Sequence, residues 1–221
     1  MKRRNFIKQG ALWVPTLLLS RKSASQFGLQ SPGFVGQLSK KPGGTTYTEQ
    51  MSWTSGSPSD ARNYDNTYRR WSWQWKPTSD WSLTKVSINL KKVGSPTGNI
   101  QAFIYESATP TSDGASPNLR LATGSTVDVS TISSDAAGSY ADFTFSSSAS
   151  MVTDRFACVV LWYANGSATD YITHRQDNSG YDDGLVCRST VAAEPSSSGD
   201  AANWTGVDVN AFVNMKLYSS P

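Results

Sequence analysis

The stretch 81–107 most limits what this chain can fold into. Thr84, Val86, Ile88 and Leu90 share one parity, and Lys85, Ser87, Asn89 and Lys91 share the other. Strand side chains alternate sides, so a period of two predicts one buried face and one wet face. Gly94, Ser95, Pro96, Thr97 and Gly98 then supply the glycines and proline of a reversal. In the strand that follows, Ile100, Ala102 and Ile104 continue the apolar face, while Phe103 and Tyr105 make the opposite face aromatic. A half-buried antiparallel hairpin of this kind needs a second sheet over it.

The rest of the chain repeats that theme. Strand-like runs occupy 47–53, 64–76, 119–122, 125–132, 140–145, 155–163, 170–175, 185–189 and 207–218, separated by polar turns. No stretch after residue 25 has a helical period. Roughly nine to eleven strands are expected, and the pattern predicts an all-β, antiparallel β-sandwich of jelly-roll type in one domain, 47–221. The run 155–163 is apolar on both faces and reads as a central strand. Trp71, Trp73 and Trp75 fall on one strand face. A row of indoles can stack sugar rings. The reading favoured here is core, with Ser72 and Gln74 outward, because three exposed indoles would make a large apolar patch.

Residues 1–25 have the three parts of an export signal: a basic start, a short apolar run at 10–19, and small residues at 23–25. The run is shorter than the roughly 20 residues a bilayer span needs. Arg3, Arg4, Asn5, Phe6, Ile7 and Lys8 match the twin-arginine type of signal. The mature chain is therefore expected outside a bacterial cytoplasm: periplasmic, on the cell surface or extracellular, with no transmembrane segment. Removing the six basic residues of this segment from the twenty in the chain leaves fourteen against seventeen acidic ones. That balance argues against nucleic acid as a partner. Residues 26–46 are an arm, flexible or docking, that mixes breakers with Phe27, Leu29, Phe34, Val35 and Leu38.

Candidate chemistry is sparse. Cys158 and Cys187 both lie in strand-like runs, and an oxidising compartment allows either a disulfide or two buried thiols. Asp177, Asp182 and Asp183 belong to an oxygen-rich run, 177–184, that offers a Ca²⁺ site or simply a tight turn. No other cofactor is expected. His174 is the single histidine, and no Gly-x-Ser-x-Gly accompanies it. Glu49, Glu106 and Glu194 are the only glutamates, and nothing in the sequence nominates a catalytic carboxylate pair.

The order of features 83–90, 92–100, 104–105, 121–123, Tyr140-Ala141-Asp142-Phe143-Thr144-Phe145 and Tyr181-Asp182-Asp183-Gly184 resembles the choice-of-anchor R domain of bacterial surface and secreted proteins. The resemblance covers about 71–218 and rests on packing and turn residues. It implies an extracytoplasmic jelly-roll-like sandwich and transfers no catalytic motif. The end at 217–221 carries no apolar sorting tail, so secretion or attachment through a partner is expected.

Three functions follow as expectations. The first is a non-catalytic module binding carbohydrate or another surface polymer, through end loops or an aromatic face with Trp81, Trp162, Tyr163, Tyr171 and Trp204. The second is a structural component of a surface layer, appendage or phage particle, docked through the arm. The third is a glycoside hydrolase without a recognisable motif.

Overall fold

A computed structural model describes residues 45–54, 60–107, 116–177, 185–208 and 212–221. The expected export signal and nearly all of the arm lie outside the described residues, as do Asp182 and Asp183. The elements in chain order are β1 (Thr48–Trp53), β2 (Asp60–Tyr64), β3 (Arg70–Trp75), β4 (Trp81–Val93), β5 (Asn99–Ser107), β6 (Pro117–Asp128), β7 (Ser139–Met151), β8 (Ala157–Trp162), β9 (Tyr171–Asp177), β10 (Leu185–Ser189), β11 (Thr205–Asp208), β12 (Phe212–Val213) and β13 (Met215–Ser219).

The alternating stretch becomes β4, the hub of one sheet. It pairs with β7 on one edge, and with β13 and then β9 on the other; β13 carries β1, while β9 carries β2 and β12. A second sheet runs β6-β5-β8-β3-β10-β11. The two meet where Gly124 of β6 pairs with Phe145 of β7, so all the strands form one curled antiparallel sheet. This is the all-β antiparallel class that the hairpin predicts. Among the described residues no helix is long and apolar enough to cross a membrane.

The inner faces make the core. Val86, Ile88 and Leu90 of β4 meet Ile100, Ala102 and Ile104 of β5, with Val159 and Leu161 of β8 and the Trp71, Trp73, Trp75 row, all buried. The indoles are core, as favoured. A bulge between Leu83 and Lys85 shifts the register of β4, so Leu83 rather than Thr84 is buried, and the Thr84 hydroxyl donates to the Tyr218 carbonyl at 3.2 Å.

Three boundaries differ from the sequence reading. The runs 119–122 and 125–132 form one strand, β6, followed by a single 3₁₀ turn at Val129–Thr131, with the Asp128 carboxylate accepting from Ser130 N–H at 2.9 Å. A further strand, β2, precedes the tryptophan row and pairs with β9. The expected last strand, 207–218, is divided among β11, β12 and β13, which join different partners.

Ser72 and Gln74 do point away from the indoles, yet both are buried. The segment 190–204 lies across that side of the second sheet as a strap. Arg70 donates through Nε to the Ala193 carbonyl at 3.1 Å and through Nη1 to Asp200 Oδ2 at 2.7 Å. The Tyr105 hydroxyl donates to the Ser196 carbonyl at 2.7 Å, and Arg120 bonds Glu194 and the Pro195 carbonyl. The aromatic reverse face of β5 is thereby covered, with the Arg120 guanidinium 4.6 Å from the Phe103 ring centroid.

Candidate functional site

The seam between β6 and β7 is the most distinctive exposed feature. The two backbones pair only at Gly124–Phe145. A Cβ on Gly124 would stand 2.8 Å from the Ala102 carbonyl oxygen and 3.0 Å from the Phe145 ring, so glycine lets the strands close there. Ser125 Oγ then accepts from the Thr144 N–H at 3.1 Å, satisfying a backbone donor that the ladder misses. The result is an open groove of about 390 Å³ lined by Thr123, Gly124, Ser125, Thr144, Phe145 and Ser146.

Alternation along β7 extends that groove into a surface. Ala141, Phe143 and Phe145 face the core, so Tyr140, Asp142, Thr144 and Ser146 face out. Tyr140 is 43% exposed. Partial burial raises its phenol above the usual value, so it stays a neutral hydroxyl that both donates and accepts. Asp142 accepts from Lys85 Nζ at 3.3 Å and from the Ser87 hydroxyl. Lys216 Nζ lies 3.4 Å from Glu49 Oε2 and 5.6 Å from the Tyr140 ring centroid. Lys85 also sits 4.1 Å and 4.7 Å from the Tyr218 and Tyr47 ring centroids. Each lysine of this face thus has a carboxylate beside it. One open ring and a row of hydroxyl, carboxylate and ammonium groups can stack a pyranose and hydrogen-bond its hydroxyls.

Compared with known proteins, the chain matches no family model, no curated protein and no solved structure.

The aromatic set nominated from the sequence does not form one surface. Tyr163 is fully buried, its hydroxyl donating to the Thr97 carbonyl at 2.9 Å, so it packs rather than meets a ligand. Trp162 and Trp204 come together against Phe103, Tyr105, Cys158 and Val160. Their indole N–H groups donate to strap carbonyls, Ala192 at 3.0 Å and Gly199 at 2.6 Å. Trp81 packs against the main core at the start of β4, whereas Tyr171 pairs with Val93 at its far end. Twelve residues of strand, about 40 Å, separate those two ends.

Of the two alternatives for the cysteines, the disulfide is not formed. Cys158 and Cys187 are unbridged, buried thiols. Cys158 pairs with Gln74 and Cys187 with Ser72, so β3 lies between them. Two strand spacings, about 9.5 Å, exceed the reach of a disulfide. Burial pushes the Cys158 thiol up to about 12. His174 is buried among Tyr64, Trp71 and Trp73, its ring centroid 5.6, 5.3 and 4.7 Å from theirs, which makes it a packing residue. Among the described residues no group of three His, Cys, Asp or Glu side chains could hold a metal ion.

The sequence reading missed the seam. Alternation in 140–145 is legible in the sequence, with Ala141, Phe143 and Phe145 as its apolar parity. The exposed parity, Tyr140, Asp142 and Thr144, was the available signal.

Proposed function

We propose that this chain is an exported, non-catalytic β-sandwich module that binds a carbohydrate or another cell-surface polymer along the outer face of β7 and the β6–β7 seam. The carrying observation is the juxtaposition of the exposed Tyr140 ring with the outward row Asp142, Thr144 and Ser146, which opens into a hydroxyl-lined groove. A linear polar polymer suits a surface that is long, shallow and lined by hydrogen-bond donors and acceptors. The two ion pairs on this face, Lys85–Asp142 and Lys216–Glu49, balance its charge and favour a neutral polymer over a strongly acidic one. Export rests on the basic, twin-arginine-like start. The resemblance to choice-of-anchor R domains supports the same address.

The test is retention of the folded mature protein on a panel of immobilised polysaccharides, repeated with Tyr140→Ala. Loss of the ring is expected to weaken binding about five- to tenfold, the value of one aromatic stack. Retention by none of the polymers, with the protein folded, overturns the reading. Unchanged binding by Tyr140→Ala overturns the placement of the site.

A further inference from the structure

A second opening lies where β6 and β7 meet the end of β5 and the turn into β8, a few residues beyond the groove. Glu106, Leu121, Ser150, Met151, Val152, Arg155, Phe156 and Ala157 enclose a cleft of about 140 Å³. Leu121 is two residues from Thr123, and Ser150 is four from Ser146, so about 7–13 Å of strand separates cleft from groove. One extended polymer reaches both.

The cleft is apolar at its base and dipolar at its rim. Met151 and Ala157 are buried beneath it, and Leu121, Phe156 and Val152 wall it. Among the described residues, Val152 is an exposed large apolar side chain that lines the cleft, and Leu119, another, pairs with Glu106 in the β5–β6 register. At the rim, Arg155 Nη1 stands 3.8 Å from Glu106 Oε2, too far for a hydrogen bond. Arg155 is 65% exposed at its side chain, so its donors are open to a ligand.

The rim is also held in place. Arg155 N–H donates to the Val152 carbonyl at 3.1 Å, closing the turn after β7. Both the N–H and the hydroxyl of Thr153 donate to Asp80 at 2.7 Å, and Lys76 pairs with Asp154 at 2.9 Å. Ser107 N–H donates to the Phe156 carbonyl at 2.9 Å. The guanidinium and the carboxylate are therefore presented on backbone tied to its neighbours, which lowers the ordering cost of binding.

The charge pattern selects the ligand. A lone carboxylate entering here would face Glu106, and a lone ammonium would face Arg155. A secondary amide faces neither problem, because its C=O accepts from a guanidinium while its N–H donates to a carboxylate. Its small apolar substituent then enters the cleft. We infer that this cleft is a subsite for the N-acyl group of an N-acylated amino-sugar unit, carried on a polymer that runs along the seam. The inference rests on the reading of the seam as a polysaccharide-binding surface.

The experiment compares the mature protein's affinity for a neutral N-acetylated amino-sugar polymer and for a neutral polymer without amide groups. The wild type is expected to prefer the N-acetylated polymer about tenfold, the value of one well-made hydrogen-bonded contact. Arg155→Ala and Glu106→Ala, at side chains 65% and 36% exposed, are expected to abolish that preference and keep binding to the unsubstituted polymer. Val152→Trp, which plugs the mouth, is expected to do the same, with thermal melting showing each variant folded. Equal wild-type affinity for the two polymers, or a preference that survives all three variants, overturns the inference and leaves the seam reading standing. Binding to neither polymer, nor to any other in the panel, overturns the seam reading itself. An N-acetylated peptide that binds as tightly as an N-acetylated oligosaccharide overturns the assignment to a sugar.

Discussion

Ser72 and Gln74 occupy the parity of β3 that a period of two assigns to water, and both are buried. The reason is Arg70, on the same parity, which is fully buried and ties the strap down through Ala193 and Asp200. Removing one partner of such a pair strands the other charge away from water. Asp200→Ala is expected to cost about 3–5 kcal/mol, read from the denaturant midpoint. Double replacement of Arg70 and Asp200 by apolar residues of similar volume is expected to cost less than that. The thiols give a second residue-scale expectation. With Cys158 buried and its thiol raised to about 12, native protein at pH 8 is expected to resist alkylation. Unfolded protein is expected to take up two equivalents, one for each of its cysteines, with no prior reduction. Mass spectrometry counts them. Both cysteines, and their strand-like setting, were legible in the sequence. That β3 separates them was not, because strand order is a long-range property.

At the scale of the element, the seam carries the argument. The sequence reading places Gly124 in a break between two strands, 119–122 and 125–132, whereas it lies inside β6. Its role appears only when the Phe145 ring is placed against it. Gly124→Ala forces a Cβ against the Ala102 carbonyl and is expected to destabilise by about 1–3 kcal/mol, the range for overpacking. A urea titration checks this. Loss of polymer binding in that variant, with the fold retained, is the further expectation, since the groove is shaped at that point. Edges follow a second logic. β1 ends the first sheet with Glu49 exposed and a bulge between Glu49 and Met51, features that discourage pairing with another strand. The alternation in 81–93 predicted β4, but not its bulge at Thr84. Bulges answer to the partner's register, and here the partners β7 and β13 come from distant parts of the chain.

For the whole molecule, loops joined by carboxylates set the response to acid. The Thr153 N–H and hydroxyl hold Asp80 below the ordinary aspartate value of about 3.9, and the Ser130 N–H does the same for Asp128. Ser95 N–H, with the Thr169 hydroxyl, lowers Asp170 across the two loops it connects. Burial acts upward on Asp200, but hydrogen bonds from Ser196 and Arg70 outweigh it. Each depressed carboxylate adds stability that is fully present above its unfolded value and is lost as pH falls through its folded one. The thermal midpoint is therefore expected to hold from pH 7 to about pH 5 and to fall below about pH 4. Asp170→Asn is expected to flatten part of that fall. A midpoint that does not change down to pH 3 counts against this account.

Alternating polarity by itself determined that this chain makes antiparallel sheet with Trp71, Trp73 and Trp75 on one face, because side-chain direction in a strand depends only on residue parity. Tertiary structure decided the rest. Which strands are neighbours, which nominally wet face lies under a strap, and where β6 meets β7 all depend on contacts between residues far apart in the chain. Parity carries no information about those contacts, so the candidate surface became visible only once the sheet had curled.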